Sequence, residues 1–227
     1  MTQLTASNKR LIHAFKKLST TNVSDALDSI GLLRNAAVGV LPMWDCPKIV
    51  GPAVTLKIAA AGMTPSKGHL GNEAIDVAKP GDVIVIDNGG RIDESCWGGI
   101  LAFGAKKKGI AGIVIDGAHR DLDDIKKVRL PVFAKGVVPC TARGRIMQDA
   151  TNTLIRCGNA QVRPGDIIMG DDNGVVVIPL EKAEDVLKAA TEMFQKENAM
   201  IKEIAAGNSM QKVDKKFKYE QMTQKKS

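Results

Sequence analysis

Residues 112–121, with the sequence GIVIDGAHRD, contain the side chains best suited to chemistry in this chain. The apolar, β-branched start of the segment is typical of a buried strand. Gly117 is expected to turn the chain tightly as the strand stops. Arg120 offers a planar pair of donors to a carboxylate, and Asp121 offers hard oxygen ligands to a cation. Charged groups at the C-terminal end of a buried strand lie where α/β folds usually place a site, so the segment predicts one.

The same residues also have a structural interpretation, which the sequence leaves open. Residues 122–127 have the pattern of a short helix, and Asp121 stands at its start. An aspartate there can accept hydrogen bonds from the first N–H groups and complement the helix dipole. Arg120 would then only pair with a surface acid.

Two adjacent glycines, Gly98 and Gly99, fall in the first half of a helix predicted over residues 94–108. Each costs about 1 kcal/mol in a helix interior. They indicate either close packing against the sheet or accessible backbone N–H groups that bind an anion near a helix start. We favour the second, because Arg120 follows one helix and one strand later, as a βαβ crossover would place it.

The elements that must position these residues alternate along the chain as in an α/β fold. Strands are predicted over residues 49–60, 83–86, 132–134, 153–155 and 175–178, and helices over residues 72–78 and 181–206. Thr21 is expected to cap a helix that ends at Gly31. A Pro-Gly-Asp turn at residues 80–82 and another at residues 164–166 each lead into a strand. With no linker-like stretch, we predict one domain over residues 1–207 and a basic, mobile tail over residues 208–227.

Composition excludes several classes of protein. The 227 residues are 44% hydrophobic but only 4% aromatic, so the core must be built from aliphatic side chains. Six lysines against two acids after residue 207 supply +4 of the net charge of +7. No aromatic-rich basic strand accompanies them, so nucleic acid is not the expected partner. No apolar run could span a bilayer, and no membrane association is expected.

The cysteines and the N-terminus predict a reduced, cytoplasmic setting. The four cysteines are widely spaced with no CxxC pair, which is unlike a zinc site or a redox motif. Residues 1–10 are polar and lack the apolar segment of a signal peptide. Small buried thiols are therefore expected.

Common catalytic motifs are missing, and carboxylates remain the best candidates. No dinucleotide-binding glycine motif, phosphate-binding loop or serine nucleophile elbow is present. His69 lies in a glycine-bounded loop that could approach a ligand, but the acids are more promising. Carboxylates that converge from strand ends attract Mg²⁺ or Mn²⁺, which keep several waters and need few protein ligands. Five acids follow this pattern: Asp87, Asp116, Asp121, Asp171 and Asp172.

Five segments, taken together and in this order, resemble the RraA-like family. That family includes the regulator of ribonuclease activity A and the class II 4-hydroxy-4-methyl-2-oxoglutarate aldolases. The resemblance spans roughly residues 20–179. The segments are VSDALD at 23–28, PGDV at 80–83, WGG at 97–99, VIDGAHRD at 114–121 and GDDNGVV at 170–176.

The resemblance implies a swivelling β/β/α sandwich, assembled as a homotrimer or homohexamer with a site between subunits. It implies that Arg120 contacts the carboxylate and oxo group of the substrate, and that Asp121 binds a divalent metal. The backbone N–H groups of residues 98–101, which are Gly98, Gly99, Ile100 and Leu101, are expected to hold the substrate carboxylate. The expected activity is metal-dependent cleavage of a small 2-oxo acid to pyruvate, with Mg²⁺ or Mn²⁺ as cofactor.

One departure from the family's pattern affects this expectation. The aldolases carry an aspartate where this chain has Gly99, so the metal's surroundings or the substrate must differ. Glu94 and Asp171 are the first candidates to replace it. The alternative function is that of a non-catalytic regulator of the ribonuclease-regulator type. The acid at Asp121, which the regulator branch can lack, favours an enzyme.

Overall fold

The structure is a computed structural model that describes residues 6–65 and 68–218. Its helices are α1 (Ala6–Phe15), α2 (Thr20–Ser29), α3 (Asn72–Val77), α4 (Gly99–Lys108), α5 (Leu122–Val128), α6 (Ala183–Ala205) and α7 (Met210–Phe217). Its strands are β1 (Leu41–Pro42), β2 (Ile49–Ala60), β3 (Val83–Asp87), β4 (Gly112–His119), β5 (Val132–Val137), β6 (Ile146–Thr151), β7 (Ile155–Cys157), β8 (Ala160–Val162), β9 (Ile167–Asp171) and β10 (Gly174–Ile178).

The chain divides into two compact units. Residues 35–180 contain every described strand together with α3, α4 and α5, and the remaining residues form a helical unit. No linker-like stretch marks either division, which is why the sequence suggests a single domain over residues 1–207.

The larger unit is built on a mixed sheet with the order β1-β5-β4-β3-β2-β9-β10, and β6 also pairs with β2. Strands β2, β3, β4 and β5 run parallel, whereas β1, β6, β9 and β10 pair antiparallel with their neighbours. The long β2 belongs to both halves of the sheet, because its start pairs with β9 and its middle pairs with β3.

Side chains alternate between the two faces of the sheet, and this alternation creates the layers. Ile84, Ile86 and Ile113 belong to a buried cluster with α3, α4 and α5. Val83 and Val85 belong to a second cluster with the strands β7 to β10. Burial of these aliphatic residues on both faces explains the near-continuous apolar runs in the sequence. The result is the predicted β/β/α arrangement.

The two Pro-Gly-Asp turns have the same chemistry in the structure. Asp82 Oδ2 accepts the N–H of Lys79 at 2.8 Å, and Asp166 Oδ2 accepts the N–H of Arg163 at the same distance. The glycine of each turn has a φ of +90°, which an L side chain rarely adopts. Each turn leads into a strand, as predicted.

Strand β4 does not stop at Asp116, contrary to the turn predicted at Gly117. The strand continues to His119, and its pairing with β5 shifts register between Ile115 and Ala118. A Cβ at Gly117 would lie 2.8 Å from Asn88. The glycine is therefore required by a close approach inside a bulged strand, and the extension carries Arg120 and Asp121 further along the sheet.

Helix α4 starts later than the helix predicted over residues 94–108. Gly98 is its N-cap and Gly99 its first residue. Ser95 instead makes a parallel bridge to Ala118, next to the end of β4. Because both glycines stand at the helix start, neither imposes the cost of an interior glycine.

The helical unit consists of α1, α2, α6 and α7. Ser19, rather than the predicted Thr21, caps α2 by accepting the N–H of Asn22 at 3.1 Å. Asn22 in turn donates to Glu197 on α6 at 2.7 Å. The part of the chain that the structure describes holds no helix of the length and apolarity needed to cross a membrane.

The segment predicted as a tail begins with a helix that the sequence interpretation missed. Ser209 caps α7, and Val213 on this helix is buried. The helix is too short for its few apolar residues to form a recognisable helical pattern among the lysines. The rest of the predicted tail, residues 219–227, lies outside the described residues.

Candidate functional site

A cleft of about 330 Å³ brings together all six residues predicted to form the site. It lies where the end of β4 meets the starts of α4 and α5. The six residues that line it are Gly98, Gly99, Ile100, Leu101, Arg120 and Asp121. The cleft is also lined by residues outside the predicted site, among them Trp97, Thr141 and Arg143.

Asp121 stands at the N-cap position of α5 but does not cap it with its side chain. Its backbone is left-handed, with a φ of +58°, which is uncommon for a residue other than glycine. The carboxylate is directed towards α4, where Oδ2 accepts the N–H of Gly99 at 3.0 Å. The cap interpretation of this carboxylate is therefore wrong, and Asp121 lines the cleft instead.

Arg120 is held by its backbone and keeps its side chain accessible. Its N–H donates to the carbonyl of Trp97 at 3.0 Å, which fixes β4 beside the segment that leads into α4. Its Nε lies 3.5 Å from Asp121 Oδ2, and about 40% of each of the two side chains is exposed. An exposed pair of this kind contributes little to stability. The guanidinium is therefore available to a ligand.

Two histidines near the site differ in whether they line the cleft. His69 lines it, with Nδ1 3.0 Å from the carbonyl of Leu70. His119 is buried, and its Nδ1 lies 3.1 Å from the carbonyl oxygen of Arg120. Burial lowers the pKa of His119, so the neutral ring is favoured and can donate to that carbonyl. His119 thus holds the backbone of Arg120 in place through this hydrogen bond.

The start of α4 offers backbone donors to the cleft. The N–H of Gly99 is used by Asp121. Within residues 6–65 and 68–218, no acceptor is found for the N–H groups of Ile100 and Leu101, which belong to the unpaired first turn of the helix. Free N–H groups at a helix start favour a negatively charged ligand.

The two glycines at this helix start accommodate the close approach of Asp121 and Asp124 at the start of α5. A Cβ at Gly98 would lie 2.7 Å from Asp121 Oδ2. A Cβ at Gly99 would lie 3.4 Å from the Cβ of Asp121 and 3.1 Å from the Cβ of Asp124. The glycines therefore serve close packing, as one interpretation held, but against the start of α5 and not against the sheet.

Of the five carboxylates predicted to converge, only Asp121 lines the cleft. Asp116 is buried in β4 and forms an ion pair with Lys135 on β5, at 2.6 Å. Asp171 accepts hydrogen bonds from Asn173 in the turn between β9 and β10. Neither Glu94 nor Asp171, the candidates to replace the missing acid, lines the cleft. The described residues contain no group of three or more His, Cys, Asp or Glu side chains that could hold a metal ion.

A loop over residues 138–145 forms the remaining wall, and none of its residues was predicted to belong to the site. Ser95 anchors the loop, since its hydroxyl donates to the carbonyl of Cys140 at 2.5 Å. Within the loop, the Arg145 guanidinium donates to the carbonyl of Thr141 at 2.9 Å. An irregular loop between two strands has no periodicity that could reveal its neighbours. Its arginines are the one available signal.

The chain is similar to known proteins of one family. The family model RraA-like, described as Aldolase/RraA, matches residues 20–177. A Halalkalibacterium halodurans protein named "Putative 4-hydroxy-4-methyl-2-oxoglutarate aldolase" is 37% identical over 79% of this chain and 81% of its own length. Protein DlpA of Legionella pneumophila is 31% identical over 93% of this chain, which spans only 34% of the length of DlpA.

A solved structure has the same fold. It is described as Streptomyces coelicolor RraAS2, an unusual member of the RNase ES inhibitor RraA protein family. It superposes with a TM-score of 0.78 at 27% identity and covers 83% of this chain and 95% of its own.

Proposed function

The chain belongs to the RraA-like family, and we propose that its cleft is the active site of a divalent-metal-dependent C–C lyase. The proposed substrate is a small 2-oxo acid, and the proposed product is pyruvate. Two reactions fit this description: retro-aldol cleavage of a 4-hydroxy-2-oxo dicarboxylate and decarboxylation of oxaloacetate. Relatives whose names refer to an aldolase support the first of them.

One observation carries the proposal, which is the direction of the Asp121 carboxylate. A helix-capping aspartate would use its oxygens on the N–H groups of α5. Asp121 instead adopts an uncommon backbone conformation and directs its carboxylate into the cleft beside Arg120. Strained residues of this kind cluster at functional sites.

The residues present fit a hard divalent cation such as Mg²⁺ or Mn²⁺. Asp121 supplies the carboxylate, and its Oδ2 is oriented by the N–H of Gly99. One carboxylate suffices for such an ion, because it keeps several waters and takes oxygens from its substrate. When bound, the ion would polarise the 2-oxo group as a Lewis acid.

The protein's own groups would bind and stabilise the reacting 2-oxo acid. The N–H groups of Ile100 and Leu101 would bind its carboxylate at the start of α4. The guanidinium of Arg120 would donate to the oxo oxygen and stabilise the negative charge that develops there as the C–C bond breaks. Retro-aldol cleavage additionally needs a base for the 4-hydroxyl, whereas decarboxylation does not.

A second candidate function is regulation of a ribonuclease, favoured by the similarity to the Streptomyces RraAS2 structure. Such a regulator needs no accessible arginine and carboxylate in a shared cleft. The two candidates are separated by testing the protein for pyruvate release and for inhibition of ribonuclease E-type activity. Asp121→Asn should affect only the first.

The assembly proposed with this function is a homotrimer or a dimer of trimers, in which subunits share the site. Light scattering of the full chain measures the assembly. A fully active monomer would contradict a shared site.

The proposed function is tested by exchanging one acid at the start of α5. Asp121→Asn keeps the shape of the side chain but removes the charge that holds a cation. The matched control is Asp123→Asn, because Asp123 is exposed in the same helical turn and does not line the 330 Å³ cleft. Mn²⁺ binding by calorimetry and pyruvate release should both collapse in Asp121→Asn and persist in the control. Wild-type Mn²⁺ affinity in a folded Asp121→Asn protein would refute the proposal.

A further inference from the structure

Arg143 is the cationic side chain of the cleft that the proposed reaction leaves without a role. The charged residues that line the cleft include two arginines, Arg120 and Arg143, and one acid, Asp121. That carboxylate already interacts with Gly99 and Arg120. Across the described residues, Arg143 has no ion pair with an acid. The cleft therefore carries an excess of positive charge, which a cation on Asp121 would increase.

The loop that contains Arg143 is held by hydrogen bonds within the loop and by hydrogen bonds from Ser95. The N–H of Arg143 donates to Thr141 Oγ1 at 3.3 Å, and the N–H of Arg145 donates to the carbonyl of Ala142 at 3.0 Å. Ser95 holds the carbonyl of Cys140 through both its N–H and its hydroxyl. Because Ser95 lies shortly before Gly98, the loop is tied to the segment that leads into α4. Arg143 is thus placed in relation to the residues that would bind the 2-oxo acid.

We infer that Arg143 binds the second carboxylate of a dicarboxylate substrate and thereby sets the preference of the site for 2-oxo dicarboxylates over 2-oxo monocarboxylates. The inference rests on the proposed function. One end of the substrate, with its carboxylate and oxo group, occupies the start of α4, Arg120 and the cation on Asp121. The far carboxylate then meets the guanidinium of Arg143, whose planar donor pair matches a carboxylate.

The physical basis of this preference is charge that would otherwise lack a partner. A monocarboxylate leaves Arg143 facing water, whereas a dicarboxylate gains a charge-assisted hydrogen bond to it. At an exposed guanidinium such an interaction changes affinity by about tenfold, the lower end of the range for charged hydrogen bonds. Because the contact is exposed, added salt should reduce the preference.

Equilibrium binding to the Mn²⁺-loaded protein tests this role without requiring turnover. Pyruvate and 2-oxoglutarate share the 2-oxo acid end, and only the second has a far carboxylate. Neither has a 4-hydroxyl group or a carboxylate β to the oxo group, so neither is cleaved. The wild type should bind 2-oxoglutarate more tightly than pyruvate. Arg143→Gln should weaken 2-oxoglutarate by about tenfold and leave pyruvate unchanged, and Arg143→Lys should recover part of the loss.

Arg145→Gln is the matched control. It removes the same charge from the same loop, but Arg145 does not line the cleft and its guanidinium is engaged by Thr141. The control should keep the preference for 2-oxoglutarate. Equal losses in the two glutamine variants would overturn the inference, because they would indicate a disturbed loop or a general charge effect.

Failure of the inference and failure of the proposed function give different results. If the wild type binds both acids and Arg143→Gln leaves their ratio unchanged, Arg143 has no part in selection and the lyase proposal stands. If the Mn²⁺-loaded wild type binds neither acid, the proposed function is refuted and the inference with it.

Discussion

Replacing Gly98 with alanine is expected to leave the fold intact and to disable the site. A Cβ at this position would lie 2.7 Å from Asp121 Oδ2 and 3.4 Å from Arg120 Nε. An ordinary carbon–oxygen contact is about 3.3 Å or more, so the carboxylate must retreat by about 0.6 Å. That movement breaks or lengthens its 3.0 Å hydrogen bond to the N–H of Gly99.

The expected cost in stability is small. Gly98 has an extended backbone, with a φ of −152°, which alanine adopts freely. Losing the hydrogen bond to Asp121 costs about 1 kcal/mol, and the lower entropy of the unfolded alanine chain offsets about half of that or more. The melting temperature should therefore change by only about 2 °C. Catalysis responds far more strongly, because a misplacement of this order can cost about a hundredfold in rate.

The assay is pyruvate release from oxaloacetate in the presence of Mn²⁺, accompanied by thermal unfolding and Mn²⁺ calorimetry. Gly104→Ala provides the matched control, since it makes the same change within α4, which Gly98 precedes, and a Cβ there would lie 3.9 Å from the nearest side chain. This control should raise stability by up to about 1 kcal/mol and leave turnover unchanged. A folded Gly98→Ala protein with wild-type turnover and Mn²⁺ affinity would refute the placement of Asp121 in the site.

Three further predictions concern residues around the cleft. Arg120→Lys keeps the charge but loses the planar pair of donors, so kcat should fall by about a hundredfold while KM rises. Near-normal steady-state kinetics would mean that Arg120 does not contact the reacting group. Gly99→Asp introduces the acid that the resemblance to the aldolases implies at this position. It is combined with Asp124→Ala, which removes a carboxylate that lies 3.2 Å from a Cβ at that position. The double variant should raise aldolase relative to decarboxylase kcat/KM. A ratio no higher than that of Asp124→Ala alone would mean that this acid is dispensable. Burial lowers the pKa of His119 from its ordinary 6.5. The free energy of unfolding, measured in urea, should therefore be highest above pH 6.5 and fall as the pH decreases towards the lowered pKa. An identical decline in His119→Gln would exclude this histidine as the cause.

The sequence contains enough local information to locate the site. The apolar run of β4 predicts a buried strand, and the charged residues after it include Arg120 and Asp121, which the structure places in one cleft with Gly98 and Gly99. Burial on both faces of the sheet explains why this run is easy to recognise. The direction of the Asp121 carboxylate is less accessible, because capping and metal binding require the same residue type at the same position.

Features that depend on contacts between distant residues are not predicted. Asp116 has the pattern of a site acid at a strand end, yet it pairs with Lys135 on the neighbouring strand and is buried. Only the register of β4 against β5 decides this, and the bulge between Ile115 and Ala118 shifts that register. The role of Arg143 is not predicted for the same reason, because its loop is held at the cleft by the hydrogen bond from Ser95 to the carbonyl of Cys140.

The proposed function requires a divalent cation, held by Asp121, for the release of pyruvate from a 2-oxo acid in this cleft. Its most direct test is pyruvate release from oxaloacetate by the full chain, first with a chelator in excess and then after Mg²⁺ or Mn²⁺ is restored. Protein-dependent release should disappear with the chelator and return with the metal, and Asp121→Asn should show no protein-dependent release under either condition. Release that continues in excess chelator, or that is equal in wild type and Asp121→Asn, would contradict the account.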